Sequence, residues 1–221
     1  MVKKILNTRP WRIISGGQTG VDRAALVAAM SFSIPFGGWV PKGRLAEDGV
    51  VPEGFYGMQE SEGGYRERTR ANVRSGDATL ILSDQFPLSV GTAYTAEIAA
   101  KLGKPCQVVD LNADTAAEQI RDWMLSLEKI IPNENDASKA CPAIVTLNVA
   151  GPRESVSPGI FAKAKKVLLE VFAAFRNWSG GDLYSIDDDG SLIAWMSEEF
   201  SAELEGECLG HGEEIQDNDN D

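Results

Sequence analysis

Residues 11–26, "WRIISGGQTGVDRAAL", decide how this chain is read. A short apolar run, Trp11 to Ser15, leads into Gly16, Gly17 and Gly20, and then into an alanine-rich segment with helical spacing. An apolar strand followed by a glycine turn and a helix is the opening unit of a parallel α/β sheet. The turn lacks the full G-x-G-x-x-G, because Ser15 stands at its first position, and no acidic residue about 20 positions on follows a clear second strand, which argues against classical NAD binding. What remains suits an anion: free backbone N–H groups, a helix N-terminus and no side chains in the way.

The same alternation continues along the chain. Apolar runs at 33–39, 78–83, 105–111 and 143–150 are interleaved with helical stretches at 19–31, 65–75, 92–102, 114–127 and 158–176. The last of these is the clearest, with Ile160, Ala164, Leu168, Val171 and Phe172 recurring at three- and four-residue spacing. Its aromatic stripe reads as core packing. The expected fold is a Rossmann-like open parallel sheet with helices on both faces, over residues 1–176, followed by an acidic, partly disordered extension over 177–221.

Charge divides at that boundary. The chain carries 33 acidic and 21 basic residues, a formal charge of -12. Trp178 to Asp221 hold 14 of the acidic residues and no Lys or Arg, leaving 19 acidic against 21 basic before them. Within the extension, "GDLYSIDDDGSLIAWM" reads either as a hairpin turning at Asp189 and Gly190 or as a weak amphipathic helix. The final "GHGEEIQDNDND" reads as disordered. An EF-hand count from Ser185 puts Met196 where the bidentate Glu belongs, so calcium is not expected.

The only histidine, His211, lies in the extension, so the α/β domain has no imidazole for a Ser/His triad or a zinc site. Cys106, Cys141 and Cys208 are odd in number and widely spaced, which points to plain thiols and to no metal. No run of about 18 apolar residues and no secretory signal is visible, so a cytoplasmic protein that binds neither membrane nor nucleic acid is expected.

In an open parallel sheet, ligands bind outside the carboxyl ends of the strands. Three turns are placed there by the strand reading: Gly16, Gly17, Gln18, Thr19 and Gly20; "SVGTAYTAE" 89–97 with Gly91 and Thr92; and "NVAGPRES" 148–155 with Gly151 and Arg153. Singly, each glycine is equally well a tight βα turn, Asp22 a helix-dipole residue, Arg23 a solvated charge and Thr92 a cap. Together they point to a phosphate-bearing ligand. Gly17→Val is expected to fill the anion position without disturbing the fold. The long segment "GGWVPKGRLAEDGVVP" 37–52, read as lacking regular structure, offers Trp39 for ring stacking and Lys42 and Arg44 for anionic charge. The alternative is that Trp39 caps the core edge and both cations are solvated.

The stretches "ISGGQTGVDRAAL", "GGWVPKGRLAEDG", "RTRANVRSGDATLIL", "GTAYTAEIAAKLGKPC" and "LNVAGPRES" resemble, in the same order, the molybdenum carrier family. That family is Rossmann-like, related to molybdenum cofactor carrier proteins and more distantly to the lysine-decarboxylase-like (LOG) nucleotide phosphoribohydrolases. The resemblance spans about residues 11–175 and implies a phosphorylated pterin or nucleotide-like ligand, foremost the molybdenum cofactor (molybdopterin), carried without chemical change. It implies binding residues Gly16, Gly17, Thr19, Gly20, Gly91 and Thr92, a homo-oligomer, and molybdoenzymes or cofactor-synthesis proteins as partners; Lys42, Arg44 and Arg153 join as anion partners from loop position. The phosphoribohydrolase relatives imply an alternative, N-glycosidic hydrolysis of a nucleoside 5′-monophosphate with Arg68 and Glu97 as catalytic residues. Here "SVGT" replaces "PGGxGT", Tyr94 and Thr95 stand where that family has glutamates, and Glu97 lies further along the helix. A nucleotide-derived signal sensor, with the acidic tail as docking segment, is the third reading.

Overall fold

The computed structural model describes residues 11–130 and 145–175, and the short strands at 185–186 and 192–193. The chain divides into two units, Met1–Gly181 and Asp182–Asp221. In the first, strands β1 (Trp11–Ile14), β2 (Phe36–Val40), β5 (Met58–Glu60), β6 (Ala78–Ser83), β7 (Cys106–Asp110) and β8 (Val145–Ala150) form one sheet. Their order is β5-β2-β1-β8-β6-β7, and each neighbouring pair is parallel. Helices α1 (Val21–Ser31), α2 (Tyr65–Ser75), α3 (Val90–Lys101) and α4 (Ala116–Ile130) lie in the crossovers, and α5 (Ile160–Ala174) follows the last strand of the sheet. This is the expected Rossmann-like α/β arrangement. Two elements were not expected: β5 at the sheet edge, and a hairpin of β3 (Leu45–Ala46) and β4 (Gly49–Val50) within the segment read as irregular.

All six residues of β6 are buried, as a strand covered on both faces requires. Helix α5 packs against α1 and α4, while α2 packs against α3, so the helices form two layers. The apolar stripe of α5 faces inward as its spacing predicts: Ile160, Ala164, Leu168 and Val171 are fully buried. Aromatic contacts close that layer, with Phe32 edge-on to Phe172 at 6.2 Å and Trp11 tilted to Phe175 at 6.5 Å. The core therefore lies between the central strands β1, β8 and β6 and the helices above and below them.

Among the described residues no helix is long and apolar enough to cross a membrane, and no group of three or more His, Cys, Asp or Glu stands ready to hold a metal ion. In the second unit β9 (Ser185–Ile186) pairs antiparallel with β10 (Leu192–Ile193), Ile186 opposite Leu192, which is the hairpin alternative for this stretch. The readings of the remaining tail, and of Cys141, Cys208 and His211, fall outside the described residues.

Candidate functional site

Strand β8 lies between β1 and β6, so three adjacent parallel strands deliver the turns after Ile14, Ser83 and Ala150 to one carboxyl rim. Two of these turns touch. The Val21 N–H donates to the Pro152 carbonyl at 3.2 Å, and the Glu154 N–H donates to Thr19 Oγ1 at 3.2 Å. Close backbone approaches at the rim explain two glycines. A Cβ on Gly20 (φ +74°) would lie 2.5 Å from the Pro152 oxygen, and one on Gly151 would lie 2.3 Å from the Leu82 oxygen. Both positions are bare because backbone meets backbone there.

Gly17 has a different reason, and it overturns one expectation. Its φ of +70° is costly for any other residue, and an added Cβ would meet Val40 at 3.0 Å and Val51 at 3.2 Å. Gly17→Val therefore strains the fold and is no clean probe of a ligand site. Gly91 is the opposite case: it is exposed, and an added Cβ meets nothing within 4 Å. Helix α3 starts beside it without a side-chain hydrogen bond to its first N–H groups, and Ser89 Oγ and Thr92 Oγ1 bond each other at 2.9 Å. By contrast the first turn of α5 is already satisfied, since the Glu154 carboxylate accepts the Gly159 and Phe161 N–H groups at 2.5 and 3.0 Å. An open helix N-terminus thus faces the rim at α3.

The glycine turn after β1 is partly filled from within. Asp22 Oδ2 accepts the Gln18 N–H at 3.4 Å and pairs with Arg68 Nη1 at 3.2 Å. The two side chains are 5% and 12% exposed. Arg68 lies across Gly16, where a Cβ would come within 2.0 Å of Nη1. Burial pushes the Asp22 carboxyl above its ordinary range, against the opposing pull of the Arg68 charge and the Gln18 N–H. Arg68 Nε and Gln18 Nε2 are buried without a hydrogen-bond partner. The N–H groups read as free are thus partly committed to Asp22.

The β3–β4 hairpin covers the next part of the rim. Its tip, Glu47 and Asp48, turns at Gly49, whose φ of +119° suits glycine alone. Asp48 forms a two-pronged pair with Arg23, Nη2 to Oδ1 being 2.7 Å. Arg23 is 1% exposed, so its reading as a solvated charge is corrected: among the described residues it is the largest fully buried side chain. Glu47 bonds the Thr19 hydroxyl, accepts the Ser155 N–H at 3.1 Å and the Ser155 hydroxyl at 2.5 Å, and stands 3.6 Å from Arg153 Nη1. Gln18 Oε1 accepts the Glu47 N–H at 2.9 Å and the Thr19 N–H at 3.0 Å. Burial raises the Glu47 carboxyl, but the Ser155 and Thr19 hydrogen bonds and the Arg153 charge outweigh it and hold it below its usual range.

The three residues expected to reach a ligand from the covering segment stand in different surroundings. The Trp39 indole N–H donates to Ser75 Oγ at 2.9 Å, at the end of α2 that leads into the amino end of β6 and so lies away from the rim. Arg44 donates to the carbonyls of Val51, Pro52 and Phe55 at 3.3, 3.0 and 3.5 Å and braces its own loop. Lys42 is exposed on a 3-10 turn. Arg153 does stand at the rim, with its guanidinium 5.8 Å from the ring of Tyr65, the first residue of α2. Arg68 and Glu97 are not joined by any ion pair or hydrogen bond: Glu97 is exposed and pairs with Lys101 along its own helix, while Arg68 pairs with Asp22. The carboxylate beside Arg68 is Asp22, which the sequence reading assigned only to the helix dipole.

The residues missed by sequence reasoning are therefore Glu47, Ser155 and Tyr65, together with the roles of Asp22 and Arg23. Glu47 and Ser155 meet across 108 positions, a separation that leaves no local pattern. The "DRAAL" and "AEDG" motifs held the charges, but nothing in their spacing paired them.

A family model described as the circularly permutated YpsA SLOG family matches residues 13–172. Among solved structures the chain is similar to the crystal structure at 1.45 Å of a "Putative molybdenum carrier protein" from Syntrophus aciditrophicus SB, with 42% identity and a TM-score of 0.64. That similarity covers 76% of this chain and 98% of the other. No curated protein matches the chain. The family match takes in every strand and helix that builds the rim, except the first residues of β1 and the last of α5, and the chain belongs to the circularly permutated YpsA SLOG family.

Proposed function

We propose that this protein binds a phosphorylated pterin or nucleotide-like ligand at the carboxyl rim and serves as a carrier or store of the molybdenum cofactor. The observation that supports it most is the convergence of three turns from β1, β8 and β6. They bring the Thr19 hydroxyl, Arg153 and the open N-terminus of α3 beside Gly91 to one edge. Backbone N–H groups at a helix start, hydroxyls and a guanidinium are the donors that phosphate oxygens need. For the ring system, Tyr65, 44% exposed and beside Arg153, offers an aromatic surface, the part expected of Trp39.

The name of the similar solved structure supports molybdenum-related cargo, and fold alone does not carry that assignment. The cofactor is cargo in this reading: the chain's residues hold its phosphate and shield its ring. A cytoplasmic homo-oligomer that passes the cargo to molybdoenzymes or cofactor-synthesis proteins goes with it. Hydrolysis fits less well, because Glu97 pairs with Lys101 in solvent and Thr95 spends its hydroxyl on the Gly91 carbonyl at 3.3 Å.

The test is native mass spectrometry of protein purified without oxygen, with molybdenum analysis and a fluorescence scan for oxidised pterin. A stoichiometric phosphorylated pterin with molybdenum is expected. Protein that copurifies with no such ligand, but releases free base from nucleoside 5′-monophosphates, would overturn the carrier reading in favour of the hydrolase.

A further inference from the structure

The contacts of Glu47 are unusual for a carboxylate at an exposed hairpin tip. Thr19 comes from the turn after β1, and Arg153 and Ser155 come from the turn after β8. Together they direct two hydroxyls, one backbone N–H and one guanidinium at the two oxygens of Glu47. The Glu47 side chain keeps only 18% exposure as a result. Convergent donors of this number and kind recognise a multiply charged oxyanion.

The rest of the hairpin does not require Glu47 to be there. Asp48 anchors the tip through its two-pronged pair with Arg23, and the Glu47 backbone N–H is held by Gln18. Val51 is fully buried and fixes the returning strand. Leu45 and Val50, 52% and 60% exposed, contribute little burial, so polar contacts hold the tip down. Asp48, Gln18 and Val51 thus hold the hairpin through contacts that do not involve the Glu47 carboxylate.

We propose that Thr19, Arg153 and Ser155 form a receptor for the phosphate monoester of the ligand, and that Glu47 is a built-in mimic of that group which the ligand displaces. The proposal rests on the phosphate-ligand reading above and adds to it the substrate class and a control on its binding. An empty site stays closed by its own carboxylate, which also repels singly placed anions. A ligand binds with an affinity reduced by the fraction of molecules in which Glu47 is seated.

The experiment is calorimetric titration of the full chain with inorganic phosphate and with adenosine 5′-monophosphate as probes. Wild type, Glu47→Gln, Glu47→Ala and Glu47→Ala/Arg153→Gln are compared, with thermal unfolding of each. Removing the competing carboxylate is expected to tighten both probes about tenfold or more, and the added Arg153 change is expected to cancel the gain. Glu47→Gln keeps an acceptor for Thr19 and Ser155, so it reports even if Glu47→Ala is poorly folded. If wild type binds the probes and the folded Glu47 variants bind no more tightly, the mimic is overturned while the phosphate site stands. If no variant and no wild-type sample binds either probe, the phosphate-ligand reading fails and the mimic fails with it.

Discussion

Replacing Arg68 with Met removes the guanidinium that lies over Gly16 while keeping most of the apolar stem. Its Nη1 is 3.2 Å from Asp22 Oδ2, and the two side chains are 12% and 5% exposed. At an effective dielectric constant of about 20 the direct attraction at that distance is about 5 kcal/mol. Desolvation of both groups offsets much of it in the intact pair, but deleting one partner leaves the other charge buried, which typically costs about 3–5 kcal/mol. Against a domain stability of about 5–15 kcal/mol this is a large fraction. Urea unfolding at pH 7.5 measures it, with Asp22→Asn and the double variant completing a cycle. The double variant should regain much of the loss, since no bare carboxylate remains. Because the folded-state Asp22 carboxyl is already raised above its unfolded value, its ionisation opposes folding as pH rises through the folded pKa. The Arg68→Met deficit should therefore shrink on acidification, as Asp22 takes up a proton. A loss below about 1 kcal/mol at pH 7.5 would be the cost of a surface pair and would refute the account of the first turn.

Gly91→Val should leave stability within about 0.5–1 kcal/mol of wild type, because the site is exposed and open, while weakening binding of any ligand seated on the α3 N-terminus; thermal unfolding and calorimetry check both halves. Gly20→Ala should cost about 1–3 kcal/mol in urea unfolding, from its φ of +74° and the Pro152 oxygen 2.5 Å from the new Cβ. Asp84 is pulled up by burial, yet hydrogen bonds from Lys163 and Ser157 and the Lys163 charge hold it below its usual range. Its folded pKa is depressed, so its contribution is present above the unfolded value of about 3.9 and lost as pH falls through the folded pKa. Asp84→Asn should accordingly be less stable than wild type at pH 7, with the gap closing below about pH 4.

The layered fold was legible because its signals are long. β6 is a short, largely apolar run with Gly76 and Asp77 before it, and α5 repeats its apolar positions over four turns, so run length with turn signals assigns the first and periodicity the second. What escaped was short or exposed. β5 is three residues long and buries only Met58, and β3 and β4 are two residues each with Leu45 and Val50 facing solvent, so neither run nor alternation marks them. The insertion of β8 between β1 and β6 is not encoded in chain order, although it is what brings the first and last turns into contact.

The site was legible in its glycines and not in its charges. Gly16, Gly20 and Gly151 were noticed as bare positions, yet each is bare because protein atoms occupy the space: Arg68 at Gly16, Pro152 at Gly20, Leu82 and Val21 at Gly151. Of the glycines in the three rim turns, Gly91 alone opens onto empty space. The charged and hydroxyl side chains that fill the rim act in pairs separated by 25 to 108 positions, Arg23 with Asp48 and Ser155 with Glu47, and pairing at that range is a property of the folded chain.

Hydrogen–deuterium exchange of the full chain, with and without the phosphorylated ligand recovered from anaerobic purification or adenosine 5′-monophosphate, tests the central claim most directly. The account predicts slowed exchange in three separate peptides at once, around Ser15–Gly20, Ser89–Ala93 and Ala150–Ser155. Protection confined to other segments, or absent from the start of α3, would contradict a ligand site built where these turns converge.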